Sequence, residues 1–471
     1  MSGAETAADP AAVAMQRTLK VIQALKERIR VLEAPATADI VGLSWRLPGH
    51  DDSGLPLTSG RALWEFFAAG RDAFGPLPEE RMGPFASVWN ELPDRGAYLH
   101  DVFAFDPTAF ECTPEQAVGM DPRHRQLLMV CREAMARAGL PQDGQNSEAA
   151  GLFVAGLEDD YQQWCPGDID FAWASGNGSS IAMARLAYSL GISGPAYCVD
   201  AACASSLVAL HTARLALTRH EIDVAVVAAV NIVLSPRAHI EHRIAGTLSE
   251  QGNTASYSAS ADGFVRGDAC VALVLRREGE STEGVMGTIL GAAVNNNGRA
   301  TGLGAPNILV EANLIRAALA DAAVSSKELS LIEGHGTGTQ IGDAVEVETY
   351  TMALADRDQP VWLGSAKSNL GHAESAAGLV GVVKALLSMR HREVAPLAGF
   401  THPNDMIDVD RCGVRFPARV EHLPSVKGLT ALVTSFGAVG TNAAIVLREG
   451  AGLEAIDANV VGPWKLADYR P

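Results

Sequence analysis

No run of about 20 apolar residues, the length a membrane span requires, occurs in this 471-residue sequence. Nor does the N-terminus show a charged start followed by an apolar segment, as a secretory leader does. Basic excess is missing too: 37 Lys and Arg stand against 55 Asp and Glu, a formal net charge of −18. That balance excludes a general nucleic-acid binder, which needs basic surface to displace counterions, and leaves room only for a local basic patch. Cysteine is scarce and unpatterned. The seven (Cys112, Cys131, Cys165, Cys198, Cys203, Cys270, Cys412) form no CxxC and no metal-ligand spacing, and an odd number suits no disulfide framework, so a reducing cytoplasm is expected. His239 and His242 make an HxxH without a third ligand, which argues against zinc. Apolar residues and glycine are abundant, at 48% and 46 residues. The chain can therefore bury a large core, as two lobes or as one large α/β domain.

The segment 12–34 reads as one helix, with Met15, Ile22 and Ile29 seven apart and Leu25 and Leu32 between them, a short two-stranded coiled-coil pattern. Pro35 stops it, and a strand begins at Asp39. From 57 to 107 the chain is loop-rich, with Trp64, Phe66, Phe67 and Trp89 as packing residues. Asp121-Pro122-Arg123 opens an amphipathic helix that runs to Leu140, proline being tolerated in a first turn. Strands are expected at 151–155, 222–230 and 270–275. The rhythm then repeats: strand 285–294, helix 309–323, strand 329–333, a helix from Gly342-Asp343, a short strand at 362–363, helix 375–389, and closing strands at 429–435 and 443–447. Two similar halves of alternating strands and helices imply an internal duplication of α/β units.

Chemistry concentrates at four places. Tyr197-Cys198-Val199-Asp200-Ala201-Ala202-Cys203 ends a short apolar strand, and Leu207, Val208, Leu210 and Leu215 follow at helical spacing, so Cys203 falls where strand turns into helix. The positive end of a helix favours an anion, and the thiol is expected to have its pKa drawn down toward working pH. His335 follows a buried strand within Glu333-Gly334-His335-Gly336-Thr337-Gly338-Thr339, a loop whose glycines let backbone approach a ligand; without a following Lys-Ser or Lys-Thr it is not a phosphate loop. His372 stands at another strand-to-helix junction, in Lys367-Ser368-Asn369-Leu370-Gly371-His372. Finally Ser435-Phe436-Gly437-Ala438-Val439-Gly440-Thr441-Asn442 is a glycine-rich turn able to present a backbone N–H to an oxyanion.

In these motifs and their order the chain resembles the β-ketoacyl synthases, most nearly the ketosynthase domains of modular polyketide synthases, over about residues 38–447. The resemblance implies a duplicated thiolase-like fold in five layers, α-β-α-β-α, divided as an N-terminal docking or dimerising helix (1–36), a half carrying the nucleophile (37–280) and a half carrying two histidines (281–471). It further implies that Cys203 accepts an acyl group from the phosphopantetheine thiol of an acyl carrier protein, with the oxyanion held by the backbone N–H groups of Cys203 and Ala438. His335 and His372 would stabilise the enolate left when a malonyl-type extender loses carbon dioxide, while Lys367, Asp343 and Glu346 orient the histidines. No cofactor is bound by the chain itself. A homodimer is implied as well.

Departures from the family pattern qualify this. Ala201 and Ala204 stand where threonine and serine are usual, and Ala438 replaces a bulky gating residue, with Val439 beside it in place of a smaller one. An enlarged pocket for a bulky, branched or functionalised acyl chain is the expectation, with Ala438 and Val439 lining it. The sequence ends soon after the fold does, as in an excised or a free-standing ketosynthase. Two activities fit: decarboxylative Claisen extension, or cyclisation of a tethered acyl chain by intramolecular aldol or lactone-forming attack. The intact Cys-His-His set favours the first, while the altered gate and the length favour the second. A non-catalytic partner is disfavoured by the presence of Cys203.

Overall fold

Ten strands of the computed structural model fall into two sets of five with one spatial plan. The structure describes residues 15, 17–23, 25–26, 37–93, 95–141, 149–165, 167, 169–281, 284–302, 304–458 and 461–471. The first set is β1 (Ala38–Arg46), β2 (Ala150–Ala155), β3 (Ala196–Val199), β4 (Val224–Asn231) and β5 (Ala269–Arg277). The second is β6 (Gly287–Asn296), β7 (Leu331–Glu333), β8 (Val361–Gly364), β9 (Thr430–Phe436) and β10 (Thr441–Glu449). Across the sheet they lie in the order β8-β7-β9-β10-β6-β1-β5-β4-β2-β3, with a short strand, Val414–Arg415, outside β8. Each half thus places its third, second, fourth, fifth and first strands side by side. Pairing repeats as well: β2 is parallel to β3 and β4 as β7 is to β8 and β9, and the remaining pairs within each half are antiparallel. The halves join where β1 meets β6, Ala38 opposite Ile289. An internal duplication inferred from rhythm alone is therefore present in topology and register.

The helices complete five layers. The structure adds α1 (Gly60–Ala68) in a stretch the sequence presents as loop, capped by Ser59, whose Oγ accepts from the Ala62 N–H at 3.2 Å. Outside the first half lie α2 (Pro122–Arg137) and α3 (Ser179–Leu190); between the halves lies α4 (Ser205–Thr218). Outside the second half are α5 (Ile308–Asp321) and α6 (Gln340–Ala353), and α7 (Ala377–His391) pairs with α4 in the middle. Strands so covered on both faces lose the alternation of a half-exposed sheet, which is why β4 reads Val-Ala-Val-Val-Ala-Ala-Val-Asn and is buried throughout. Gly378 sits at the closest approach of the two central helices: a Cβ there would lie 2.5 Å from Leu207 Cγ.

One expectation needs correction. The helix opening at Asp121 is buried almost all round, where an amphipathic helix would show a wet face. Its charges are matched internally instead: Arg123 pairs with Asp121 and Asp160, and Arg125 donates to the carbonyls of Met120, Phe103, Tyr469 and Val118 and to the Tyr161 hydroxyl. In the expected helix at 12–34, the described residues are helical and exposed, Met15 at 66% and Leu25 at 56%. Ile29 and Leu32 of that heptad pattern lie outside the described residues. No described helix is long and apolar enough to cross a membrane.

Candidate active site

The nucleophile sits on a forced turn. After β3 the backbone passes through Ala202 at φ +50°, a left-handed conformation that costs a residue with a side chain about 1–3 kcal/mol. A short 3-10 turn, Ala202–Ala204, then leads Cys203 into α4. Ser205 pins the turn from inside, its Oγ accepting from the Ala201 N–H at 2.8 Å and donating to the Ala202 carbonyl at 2.6 Å. Cys203 lines a cavity of about 210 Å³ shared with His335, His372, Phe436 and Ala438. The location agrees with the sequence, but the protonation state does not. Burial, with the Glu374 charge second, pushes the thiol up to about 11, against the opposing pull of Lys367 and the backbone N–H groups of Ala438 and Cys203. Desolvation of the anion outweighs what the helix end and the nearby cation return, and the resting group is the thiol.

His372 faces that sulfur with its Nε2 3.2 Å from Cys203 Sγ. Its main chain is clamped between neighbours: its N–H donates to the Val265 carbonyl and its carbonyl accepts from the Gly267 N–H, each at 2.8 Å. Its Nδ1 accepts the Glu374 N–H at 3.0 Å, which leaves the hydrogen on Nε2, pointed at the sulfur. Glu374 itself holds a left-handed φ of +44° and pairs with buried Arg266 at 2.5 Å.

His335 follows directly from β7. Its N–H and that of Gly336 donate to the two oxygens of Glu346, at 2.6 and 2.7 Å, and its carbonyl accepts from Lys367 Nζ at 2.5 Å. Gly334 is required here, since a Cβ would fall 2.2 Å from the Tyr257 hydroxyl oxygen. Asp343 does not touch either imidazole. It accepts the N–H groups of Tyr257 at 2.5 Å and Gly338 at 3.0 Å, tying the loop's far end; burial and neighbouring Glu346 push it up to about 8. The two imidazoles stand nearly perpendicular, ring centres 5.7 Å apart. Burial first and Lys367 second hold both well below the ordinary histidine range, so both are neutral at physiological pH.

The structure thus brings Cys203, His335, His372 and Ala438 to one cavity, with Lys367, Asp343 and Glu346 holding the His335 loop by its backbone. Val439 is not brought in. It is 53% exposed and is not among the residues that line the cavity. Sequence reasoning passed over Arg266, Glu374 and Tyr257, whose contacts cross more than 80 positions of the chain. For Arg266 the one visible sign is its place between the glycines of Asp262-Gly263-Phe264-Val265-Arg266-Gly267-Asp268, a turn-rich stretch of sequence. Among the described residues no group of His, Cys, Asp and Glu side chains is arranged to hold a metal ion. A neutral N–H donor on Nε2, two backbone N–H groups at a sulfur, and a second imidazole are together equipped to stabilise negative charge on oxygen, first on a tetrahedral centre and then on an enolate.

Comparison with known proteins accords with that chemistry. Residues 38–281 match the family described as β-ketoacyl synthase, N-terminal domain, and residues 286–401 match β-ketoacyl synthase, C-terminal domain. The chain is 35% identical over 430 residues to polyketide synthase GfsB of Streptomyces halstedii, covering 88% of this chain and 8% of that protein. It is 34% identical over 468 residues to mycoketide-CoA synthase of Mycobacterium tuberculosis, covering 96% of this chain and 11% of that one. It therefore spans only a small part of either relative. A solved ketosynthase from module 6 of the bacillaene synthase of Bacillus subtilis superposes with a TM-score of 0.80 at 32% identity, covering 88% of this chain and 72% of that one. The chain belongs to the β-ketoacyl synthase family, as a ketosynthase of the modular polyketide synthase type with the thiolase-like fold.

Proposed function

We propose that the chain transfers an acyl group from a carrier-protein thioester to Cys203 and condenses it with a malonyl-type extender. The observation that carries this reading is the His372 Nε2 set 3.2 Å from Cys203 Sγ, with the Ala438 N–H at the same sulfur. In loading, the sulfur attacks the thioester carbonyl and loses its proton. The tetrahedral oxyanion rests on the N–H groups of Cys203 and Ala438, and collapse expels the carrier thiolate, which takes up that proton. In condensation, the extender's carboxylate carbon–carbon bond breaks, carbon dioxide departs, and the electron pair passes to an enolate whose oxygen receives N–H donors from His335 and His372. The enolate carbon then attacks the Cys203 thioester, forming the new carbon–carbon bond, and the released thiolate takes a proton from solvent. Neutral imidazoles suit this role, because they donate without protonating the enolate outright. Two neutral imidazoles on one cavity, ring centres 5.7 Å apart, favour extension over cyclisation, which has no carboxylate to lose.

In this reading residues 37–280 supply the nucleophile, 281–471 supply the histidines, and 1–36 dock or dimerise. The partners are an acyl carrier protein, bearing the substrate on phosphopantetheine, and a second copy of the chain. Supporting the second copy, β3 is an edge strand with Tyr197 41% exposed upon it, and Tyr188 and Phe171 nearby in sequence are 77% and 80% exposed. The test is Cys203→Ala, which removes the nucleophile and little volume. Intact-protein mass spectrometry with an acyl thioester should show an adduct on the native chain and none on the variant. An adduct on the variant, or on another native cysteine, would sink the assignment.

A further inference from the structure

Three side chains lining the Cys203 cavity form a polar string with no part in the chemistry above: Asn442, Asn297 and Glu311. Asn297 Nδ2 donates to the Ala305 carbonyl at 3.3 Å and to Glu311 Oε1 at 3.4 Å. Both of those partners are acceptors only, so Asn297 must turn its amide nitrogen toward them and its Oδ1 toward Asn442. Asn442 answers with its own Nδ2, at 2.8 Å from Asn297 Oδ1 and 3.3 Å from Asn295 Oδ1. The orientation of both amides is thereby set, and Asn442 Oδ1 is left buried with no hydrogen-bond partner among the described residues.

Glu311, at the other end of the string, is 2% exposed. Its carboxylate accepts only long contacts, from the Asn307 N–H at 3.2 Å and the Thr349 hydroxyl at 3.3 Å, besides Asn297. Among the described residues no cationic side chain acts on it, and burial pushes its pKa up. Its place in the first turn of α5 explains why a carboxylate is tolerated there. It does not explain why the string ends on Asn442 Oδ1, an acceptor without a donor among the described residues, or why Glu311 is held only by long contacts, since a buried polar group that is poorly satisfied costs free energy unless something supplies the missing partner. Resting on the acyl-transfer reading above, we propose that this polar string is a recognition element for hydrogen-bond donors carried by the thioester substrate, the Glu311 carboxylate receiving one of them, either an amide N–H of the pantetheine arm or a hydroxyl on the acyl chain, while Asn442 Oδ1 stands as a second acceptor.

Four probes separate the two sources: butyryl and 3-hydroxybutyryl groups, each as the pantetheine thioester and as the amide-free S-propyl thioester, with Cys203 loading followed by intact-protein mass spectrometry. In Glu311→Gln, KM should rise about tenfold for the two probes that share the recognised donor, the loss of one hydrogen bond to a charged group. The maximal loading rate and the KM for butyryl S-propyl thioester should stay within about twofold of native. A rise confined to the pantetheine pair assigns the donor to the amide; a rise confined to the hydroxybutyryl pair assigns it to the acyl chain. Glu311→Asp, which keeps the charge but withdraws it by one methylene, should lose the same preference, and the thermal midpoint of each variant reports its folding. Native Cys203 that no probe acylates would sink the acyl-transfer reading and this one with it. Native loading together with equal KM changes for all four probes, or with none for any, would overturn this inference alone.

Discussion

Replacing Gly378 by alanine puts one methyl group where α7 comes closest to α4. The added carbon would lie 2.5 Å from Leu207 Cγ, 2.8 Å from Ser206 Oγ and 2.9 Å from Leu207 Cδ2, all well inside the roughly 3.5–4.0 Å at which carbon contacts are comfortable. Two opposing effects set the outcome. Alanine is favoured over glycine by at most about 1 kcal/mol at this second position of α7, while forcing a methyl into a filled core costs about 1–3 kcal/mol. The net expectation is a destabilisation of up to about 3 kcal/mol. The strain falls on Ser206 and Leu207, in the first turn of the helix that begins beside Cys203, so loading should also slow. A misplacement of about 1 Å costs about 100-fold, and a shift of a few tenths of that should cost several-fold. Gly381→Ala, on the same helix, is the control. Its methyl would meet Val433 Cγ1 at 3.1 Å and Glu333 Cγ at 3.3 Å, contacts that small side-chain movements relieve, and the variant should stay within about 1 kcal/mol of native. Urea midpoints at unchanged slope, together with loading rates by mass spectrometry, measure both effects. A Gly378→Ala protein about 1 kcal/mol more stable than native, with the full helical gain realised, would refute the close packing of α4 on α7.

Three other outcomes are expected. Because burial raises the Cys203 thiol to about 11, its thiolate is a small minority at pH 8, and its alkylation by iodoacetamide should still climb through pH 9; a plateau at or below pH 8 would show a depressed thiol instead. Ala438 borders the cavity, so Ala438→Phe should slow loading of a bulky acyl thioester by about 5- to 150-fold while a short, straight chain still loads, since the backbone N–H persists. Equal slowing of both substrates would point to damage at the oxyanion site. A chain starting at Ala38 should remain dimeric by light scattering, because the exposed edge at β3 lies in the globular part; a clean monomer would move the interface to residues 1–37.

Much of this was legible before any coordinates. Strands β2, β4, β5, β9 and β10 and helices α5 and α7 lie within a few residues of where apolar runs and helical spacing place them, because each is long and its pattern is local. Helix α1 was missed: its nine residues carry Trp64, Phe66 and Phe67 in a stretch dominated by turn formers. The surroundings of α2 were misjudged for a different reason. Arg123, Arg125 and Glu133 look like a solvated face until their partners, up to 344 positions away, are brought beside them.

The sequence by itself determined which groups are available for chemistry: one cysteine at a strand-to-helix junction, two histidines in glycine-bearing loops, and a glycine-rich turn. Their order and spacing also determined the family and the duplicated fold. Only the tertiary structure decided the states of those groups. That Cys203 rests as a thiol, that both imidazoles are neutral, and that His372 carries its hydrogen on Nε2 follow from burial and from contacts with Lys367, Glu374 and Ala438. Val439 standing outside the cavity lining and Glu311 within it were equally beyond a linear reading. Desolvation and the identity of a hydrogen-bond partner are properties of what surrounds a residue in space, and the chain supplies that environment only once it has folded.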